Sequence, residues 1–512
     1  MKLTYGVKDR PKTGRLLLFS LQQLLAILAA TIAVPIIVSG SMTEGQGAMS
    51  TSAALFGAGV GTLVYLLFTK FKSPVFLGSS FGFLGSMAAA FAGGVSMSLG
   101  YLGLLIGAIF AGIVYVIIAV AVKFAGVKWI DKIMPAVVIG PTVAIIGLSL
   151  AGNAIGDLMK GNVTVGVEQW IVDAVTGETS QIVVQQMVCS PYIALLCGIV
   201  TLAVTIVCSV YGKKMLKMIP FIIGILAGYA VAAIFTGIGY AAHADVLKVI
   251  DFTKFQSMNW AFWEDYTFVK LFSNDYGLGK ISSYGAYFGT IAVAYIPVAF
   301  VVFAEHIADH KNISSIIETD LLKDPGLSRT LLGDGVGSIA GAVFGGCPNT
   351  TYGESVGCVA ISGNASVATI FVTALMAIAI SFFAPFITFL ATIPSCVMGG
   401  VCIALYGFIA VSGLKMIQSV DLGDNKNLFV VSVILIAGVG GMALKFGEVT
   451  VTEVACALIL GILTNLLVNI HGKKNKQTPA QPLAEQPDVT EPTETTGPDA
   501  EAPQEKSFTE EA

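Results

Sequence analysis

Apolar residues run through this chain in blocks about as long as a bilayer is thick, with polar residues gathered between them. A helical span needs about 20 predominantly apolar residues. Reading along the chain gives runs near 15–39, 50–69, 75–93, 99–124, 134–152, 190–211 and 217–239. After a polar stretch come 284–307, 327–345, 349–364, 366–392, 394–414, 427–444 and 450–470. These form two groups of seven, separated by a loop around 240–283. A repeat with an odd number of spans reverses its orientation in the membrane, so two such groups are related by inverted topology. The expected fold class is an all-α polytopic membrane protein, with 14 transmembrane spans arranged as two inverted 7-span repeats.

The charges orient this map. Alternating the runs from a cytoplasmic N-terminus puts 22 of the 28 Lys and Arg inside, and leaves only Lys160, Lys248, Lys254, Lys270, Lys280 and Lys445 outside. Cytoplasmic loops carry the excess of Lys and Arg, so the N-terminal segment 1–14 and the C-terminal segment 471–512 are both expected in the cytoplasm. Trp129, Trp170, Trp260 and Trp263 lie in or beside loops, at the headgroup level that amphipathic rings prefer. The loops near 153–189 and 240–283 fall outside and are expected to cap the protein. The first run exceeds the roughly 7–15 residues of a signal-peptide core and is expected to remain as the first span.

Composition narrows the function. The chain is 55% hydrophobic and 12% charged, with 57 glycines among 512 residues, whereas soluble domains average about 25% charged. The net charge of −4 comes from the tail, where 9 acidic and 4 basic residues follow position 470. Six prolines among Thr, Glu and Gln mark that tail as disordered. The eight cysteines lie nearly all in apolar runs without a C-x-x-C pair and read as small hydrophobes. No metal-type His/Cys cluster and no nucleophile–base constellation stands out. Nucleic-acid binding, a secreted disulfide scaffold and a soluble enzyme are poor readings. Neither an enzyme nor a cofactor is expected.

Two runs break the continuous apolar pattern. The third opens SPVFLGSSFGFLGS (73–86) and the tenth opens GGCPNTTYGESVG (345–357). Each joins Gly, Ser or Thr and an aromatic in a short extended stretch, then continues as a half-length helix, and each is third in its group of seven. Unwound backbone at bilayer depth must be buried in protein or line a cavity. Matched interruptions of this kind point to a transport site. The alternative is a pair of Gly-rich loops between ordinary spans.

Few carboxylates fall inside the runs. Glu305, in AFVVFAEHIADH (299–310), and Glu354, in the tenth segment, stand out. An intramembrane charge costs at least about 2.5–3.5 kcal/mol and usually marks function. By position Glu305 has two placements, within the bilayer or snorkelled to the cytoplasmic face. Asp309 follows at i+4 on the same helix face, and two adjacent buried carboxylates favour holding a proton. Asp334, in LLGDGVG, reads as a helix-end residue. His306 points about 100° away from Glu305 and reads as a packed core histidine, while His310 and Lys311 read as solvated residues of the cytoplasmic end.

The segments AEHIADH, LLKDPGLSRTLLGDGVGS, GGCPNTTYGESVG and IPSCVMGGVCIALYGFIAVSG resemble the nucleobase–ascorbate (nucleobase–cation symporter 2) family. NTTYGE is similar to the form in its bacterial uracil-permease branch. The resemblance covers most of residues 15–470. It implies a core domain of spans 1–4 (15–124) and 8–11 (284–392), a gate domain of spans 5–7 (134–239) and 12–14 (394–470), and a homodimer in membrane lipid through the gate domains. By resemblance Glu305 hydrogen-bonds a base, Glu354 binds its other edge, Gly353 offers a backbone amide, and the Phe81 amide faces a carbonyl. Tyr352, Ala30 and Tyr406 match residues packed around the ring. Gln23 stands where relatives often have histidine, and Asp309 where a uracil carrier has a second one.

The expected function is proton-coupled import of a nucleobase, uracil foremost, across a bacterial cytoplasmic membrane by alternating access. The proton is the coupling ion, and Glu305, Asp309 and Glu354 are the candidates to carry it. A purine such as xanthine, or a broader pyrimidine set, is the alternative substrate. An anion exchanger of the same architecture would avoid carboxylates at its site. A cation pore would leave the matched breaks unexplained.

Overall fold

In a bilayer an apolar run must satisfy its own backbone, so it coils. The computed structural model describes residues 3–42, 47–126, 129, 134–172, 179–213, 215–256, 258, 260, 266–272, 275–446 and 449–470. The first half holds α1 (Thr13–Gly40), α2 (Thr51–Phe68), β1 (Leu77–Ser79), α3 (Leu84–Phe91), α4 (Met97–Ala125), α5 (Ala136–Ser149) and α6 (Ala151–Asp157). It continues with β2 (Thr164–Val172), β3 (Thr179–Met187), α7 (Pro191–Tyr211), α8 (Met215–Met218), α9 (Pro220–Ala241) and α10 (Thr267–Lys270). The second half holds α11 (Tyr284–Ile317), α12 (Leu327–Gly345), β4 (Asn349–Thr351), α13 (Gly353–Ser362), α14 (Val367–Ser381) and α15 (Ala384–Thr392). It closes with α16 (Ser395–Ile417), α17 (Asn425–Val439), β5 (Leu444–Phe446), β6 (Val449–Val451) and α18 (Glu453–Asn469).

Among the described residues, eight helices are long and apolar enough to cross a membrane, with α5 and α6 taken together, and nine if α14 and α15 form one span. The chain is a mostly helical protein of membrane type. The tail expected to be disordered, 471–512, lies outside the described residues, as do Lys2, Lys128, Lys132, Lys214 and Trp263.

The structure corrects several expectations. The chain is not purely α-helical, because the loop near 153–189 carries the antiparallel hairpin β2–β3. TVGVEQWIV and TSQIVVQQM are rich in the β-branched residues that suit a pleated surface. A second small hairpin, β5–β6, precedes α18. The run 366–392 is two helices bent by 82°, with Pro385 in the first turn of α15, where its missing N–H costs nothing. The run 284–307 ends too early, since α11 continues to Ile317.

Packing sorts the helices into two groups. α2 packs on α12 and α14, α4 on α11 and α12, and α1 on α14. Separately, α16 packs on α5 and α7, α9 on α7, and α17 on α5 and α18. Close helix approach in a membrane depends on small residues, because lipid supplies no hydrophobic drive to separate helices from it. At the α2–α12 crossing a Cβ on Gly57 would sit 2.5 Å from the Gly341 carbonyl oxygen, and one on Gly345 2.5 Å from that of Ala53. Gly57→Leu is therefore expected to destabilise the protein by about 1–3 kcal/mol through overpacking, read as a lower melting midpoint in detergent. An unchanged midpoint would show that this crossing does not hold the fold together.

Candidate functional site

The two interrupted segments meet. β1 and β4 pair antiparallel, with Leu77 opposite Thr351, Gly78 opposite Thr350 and Ser79 opposite Asn349. Each freed backbone group at such depth needs a partner, and neighbouring side chains supply those the ladder leaves over. The Thr62 hydroxyl accepts from Leu77 N at 2.9 Å and lies 3.0 Å from the Leu77 carbonyl oxygen. Ser355 Oγ accepts from Phe76 N at 3.1 Å. Asn349 Nδ2 donates to the Gly57 carbonyl at 2.9 Å, Tyr352 N to Phe76 O at 3.2 Å and Ser80 N to Pro348 O at 2.9 Å. The Tyr352 hydroxyl donates to Ser79 O at 2.8 Å, tying the two breaks together. Both chains then return to helix, α3 starting at Leu84 and α13 at Gly353. The first-turn amides of α13 have no helical acceptors and form a positive pole.

Glu305 lies in the interior of α11, twelve residues before its end at Ile317, so it is not an end-of-helix residue. Asp309 follows one turn later and accepts from the Thr351 hydroxyl at 2.7 Å, which ties α11 to β4. Glu354 sits in the first turn of α13. Gln23 on α1 donates to Ser355 Oγ at 2.5 Å and Ser355 O at 3.3 Å, so the residue beside Glu354 is held from a third helix.

The opposite face of α11 is a buried polar network. His306 Nδ1 donates to Asp334 Oδ2 at 2.7 Å, and its Nε2 lies 3.0 Å from Thr330 Oγ1. His310 is fully buried rather than solvated. Its Nδ1 donates to His306 O at 2.8 Å, and the Tyr65 hydroxyl bridges its Nε2 at 2.6 Å to Ser73 Oγ at 2.7 Å. The His306 and His310 rings stack with centroids 4.0 Å apart. Asp334 is fully buried in the second turn of α12 and is a partner of His306, not a helix-end residue. Lys311 is exposed, as expected.

Glu305, Asp309, Tyr352, Gly353, Glu354 and Phe81 line one cavity of about 330 Å³. Val143, Phe221, Phe408, Ser209 and Lys217 close it from the facing helices, and Ala26 of α1 lines its own side. Five residues expected from the sequence to bind substrate thus stand on one wall. Ala30 and Tyr406 do not line it: Ala30 is wholly enclosed one turn beyond Ala26, and the Tyr406 ring meets Phe81 edge-on at 6.1 Å.

The sequence profile of the Permease family matches residues 14–446. The chain belongs to this family. It is the nucleobase–ascorbate transporter family that the motifs resemble. The permease is 36% identical over 471 residues to a uracil permease of Bacillus caldolyticus, covering 91% of this chain and 95% of that one. It is 31% identical over 467 residues to the uracil permease of Escherichia coli K12, covering 91% and 94%. In structure it is similar to the transmembrane domain of the cyanobacterial bicarbonate transporter BicA, with a TM-score of 0.52, 13% identity and coverage of 90% and 99%. It is also similar to a murine solute carrier 26 family member A9 anion transporter, with a TM-score of 0.53, 12% identity and coverage of 90% and 69%. At such identity these two show the shared fold alone.

Sequence reasoning missed the facing wall of the permease's cavity. Phe221 and Phe408, 5.9 Å apart edge to face, sit in uniformly apolar runs that do not mark which side meets a cavity. It also missed Thr351, although a hydroxyl beside the extended Tyr352, just before helix resumes at Gly353, was a signal. The His306–Asp334 bond yields a prediction. Asp334→Ala and His306→Ala should each cost about 3–5 kcal/mol, as breaking a buried pair does, and the double variant clearly less than their sum. Strict additivity in melting experiments would contradict the bond.

Proposed function

We propose that this permease imports a nucleobase, uracil foremost, together with a proton. One observation carries the reading. Glu305 and Glu354, from two separate elements, line the same cavity beside the opening residue of a helix, in a chain 31–36% identical to proteins named uracil permease. Uracil offers two N–H donors and two carbonyl acceptors around a flat ring. Carboxylates accept from N–H, and amides at Gly353 and Phe81 donate to carbonyls. Phe81 and Tyr352 supply aromatic faces. Ala30 and Tyr406 then act from behind, Tyr406 by bracing Phe81. A cavity of about 330 Å³ lies at the small end of ligand pockets, roughly 300–1,000 Å³, which suits a single ring.

Coupling follows from the crowding of acids. Glu305, Asp309 and Glu354 share a low-dielectric wall where three full charges would repel, so a proton held among them favours the occupied site. If protonation and binding are linked, uracil affinity falls as pH rises.

The two packing groups are the core (15–124 and 284–392) and the gate (134–239 and 394–470) of an elevator-like carrier, with the cavity in the seam between them. The placement of β1 in the third apolar run and β4 in the tenth supports fourteen spans as two inverted repeats of seven. The loop 240–283 is extracellular. The cavity reaches Lys217, on the side richer in Lys and Arg, which fits a site open to the cytoplasm, with segments 1–14 and 471–512 cytoplasmic too. The protein works as a multi-pass homodimer in a bacterial cytoplasmic membrane, joined through its gates. The carboxylates weigh against an anion as cargo.

Glu305→Gln and Glu354→Gln are each expected to weaken uracil uptake by about 10–100-fold, the worth of a hydrogen bond to a charged group, while the protein still reaches the membrane. Normal transport by both would reject the assignment. Labelled uracil should be displaced by 5-fluorouracil and poorly by xanthine, and a protonophore should abolish accumulation. Uptake insensitive to collapse of the gradient would remove the proton from the account.

A further inference from the structure

Phe81 borders a second cavity. A space of about 250 Å³ is lined by residues that include Phe81, Gly85, Asn153, Thr452 and Glu453, and by neither Glu305 nor Glu354. Its walls come from both packing groups, α1, α3 and α11 on one side and α5, α6 and α18 on the other. It therefore lies in the same seam as the first cavity. The two are close. Along α11 the outer cavity is marked by Val298 and the inner by Glu305, seven residues or about 10 Å apart at 1.5 Å per residue. Along α5 the markers are Ile146 and Val143, one turn apart. Phe81 is the residue that lines both, and its ring is braced by Tyr406.

The polar groups of the outer cavity are few and complementary. Ser41 and Ser149 spend their hydroxyl hydrogens on the carbonyls of Val38 and Ile146, at 2.7 and 3.2 Å. Glu453 presents a carboxylate at the head of α18 and Asn153 an exposed side-chain amide in α6. A first-turn glutamate is ordinary on its own account, since the helix dipole favours it. Its company is not. The Thr452 hydroxyl oxygen beside it is buried and has no hydrogen-bond partner among the described residues, and a buried polar atom left so is costly. The space itself depends on a missing side chain: a Cβ on Gly85 would meet only Thr452 Cγ2, at 3.8 Å.

We propose that this outer cavity is a second, transient nucleobase site, occupied before the ring passes Phe81. Glu453 accepts from a ring N–H, Asn153 donates to a ring carbonyl, and the Phe81 side chain forms the floor. The site uses the same donor and acceptor types as the inner one, with one carboxylate in place of two, so it holds the same ligand more weakly and passes it on. This inference rests on the nucleobase reading of the inner cavity.

The test uses Glu453→Gln and Gly85→Leu, the second of which fills the space beside Thr452 without removing a polar group. Labelled uracil uptake is measured from the outer side in right-side-out vesicles, and uracil binding from the cytoplasmic side in inside-out vesicles. Both variants are expected to raise the external KM about tenfold, Glu453→Gln through the loss of one charge-assisted hydrogen bond and Gly85→Leu by occupying the space. Binding from the cytoplasmic side should stay at the parent's affinity, which also shows that the variants are folded. An external KM unchanged in both variants overturns the outer site and leaves the inner reading standing. An equal loss of affinity on the cytoplasmic side overturns it too, because the effect then belongs to the inner cavity. Failure of the parent protein to take up uracil defeats the nucleobase reading, and the outer site with it.

Discussion

Three residues of one interrupted segment pair with three of another, and the positions of the chemically important groups follow from that short ladder. Unwound backbone survives within a membrane protein only when its amides and carbonyls are paired. Here β1 and β4 pair with each other, and Thr62, Asn349, Ser355 and Tyr352 take up neighbouring groups. The pairing fixes where each chain resumes its helix, and so where Phe81 and the Gly353–Glu354 step stand. A slip of one residue would turn alternate side chains to the opposite face and carry Tyr352 away from Ser79.

The long helix α11 completes the arrangement by dividing its faces. Glu305 and Asp309 look into the cavity, while His306 and His310 anchor the other side to α12 and α2. An acid wall is thus backed by hydrogen bonds and stacked rings rather than by lipid. Such support keeps a binding group in one orientation, and Thr351 adds a direct hold on Asp309. The facing wall is mainly aromatic and aliphatic, so polarity is concentrated on the group of helices that contains the breaks.

Much of this was legible from residue types. SPVFLGSSFGFLGS and GGCPNTTYGESVG interrupt apolar runs with small and hydroxylated residues, and both became strand followed by short helix. Their pairing with each other was not legible, because a three-residue ladder between distant segments leaves no periodic trace. His310 and Asp334 were misplaced for a related reason. Hydropathy reports contact with lipid, whereas the face of α11 that carries Asp309, His310, Ile313 and Ile317 is buried by protein. The hairpin β2–β3 was passed over as loop because its polar content hid a strand pattern that Val, Ile and Thr do carry. Phe221 and Phe408 gave no sign, since one apolar face of a span looks like another until a cavity lies beside it.

The proposed site holds a nucleobase between the carboxylates of Glu305 and Glu354, against the head of α13. Crystals of the protein grown with 5-bromouracil would test it most directly, because bromine can be located by its anomalous scattering. One strong bromine peak per chain is expected inside the cavity bounded by Phe81, Tyr352, Glu305 and Glu354. A strong peak only on the far side of Phe81, or none in the seam at saturating ligand, would contradict it.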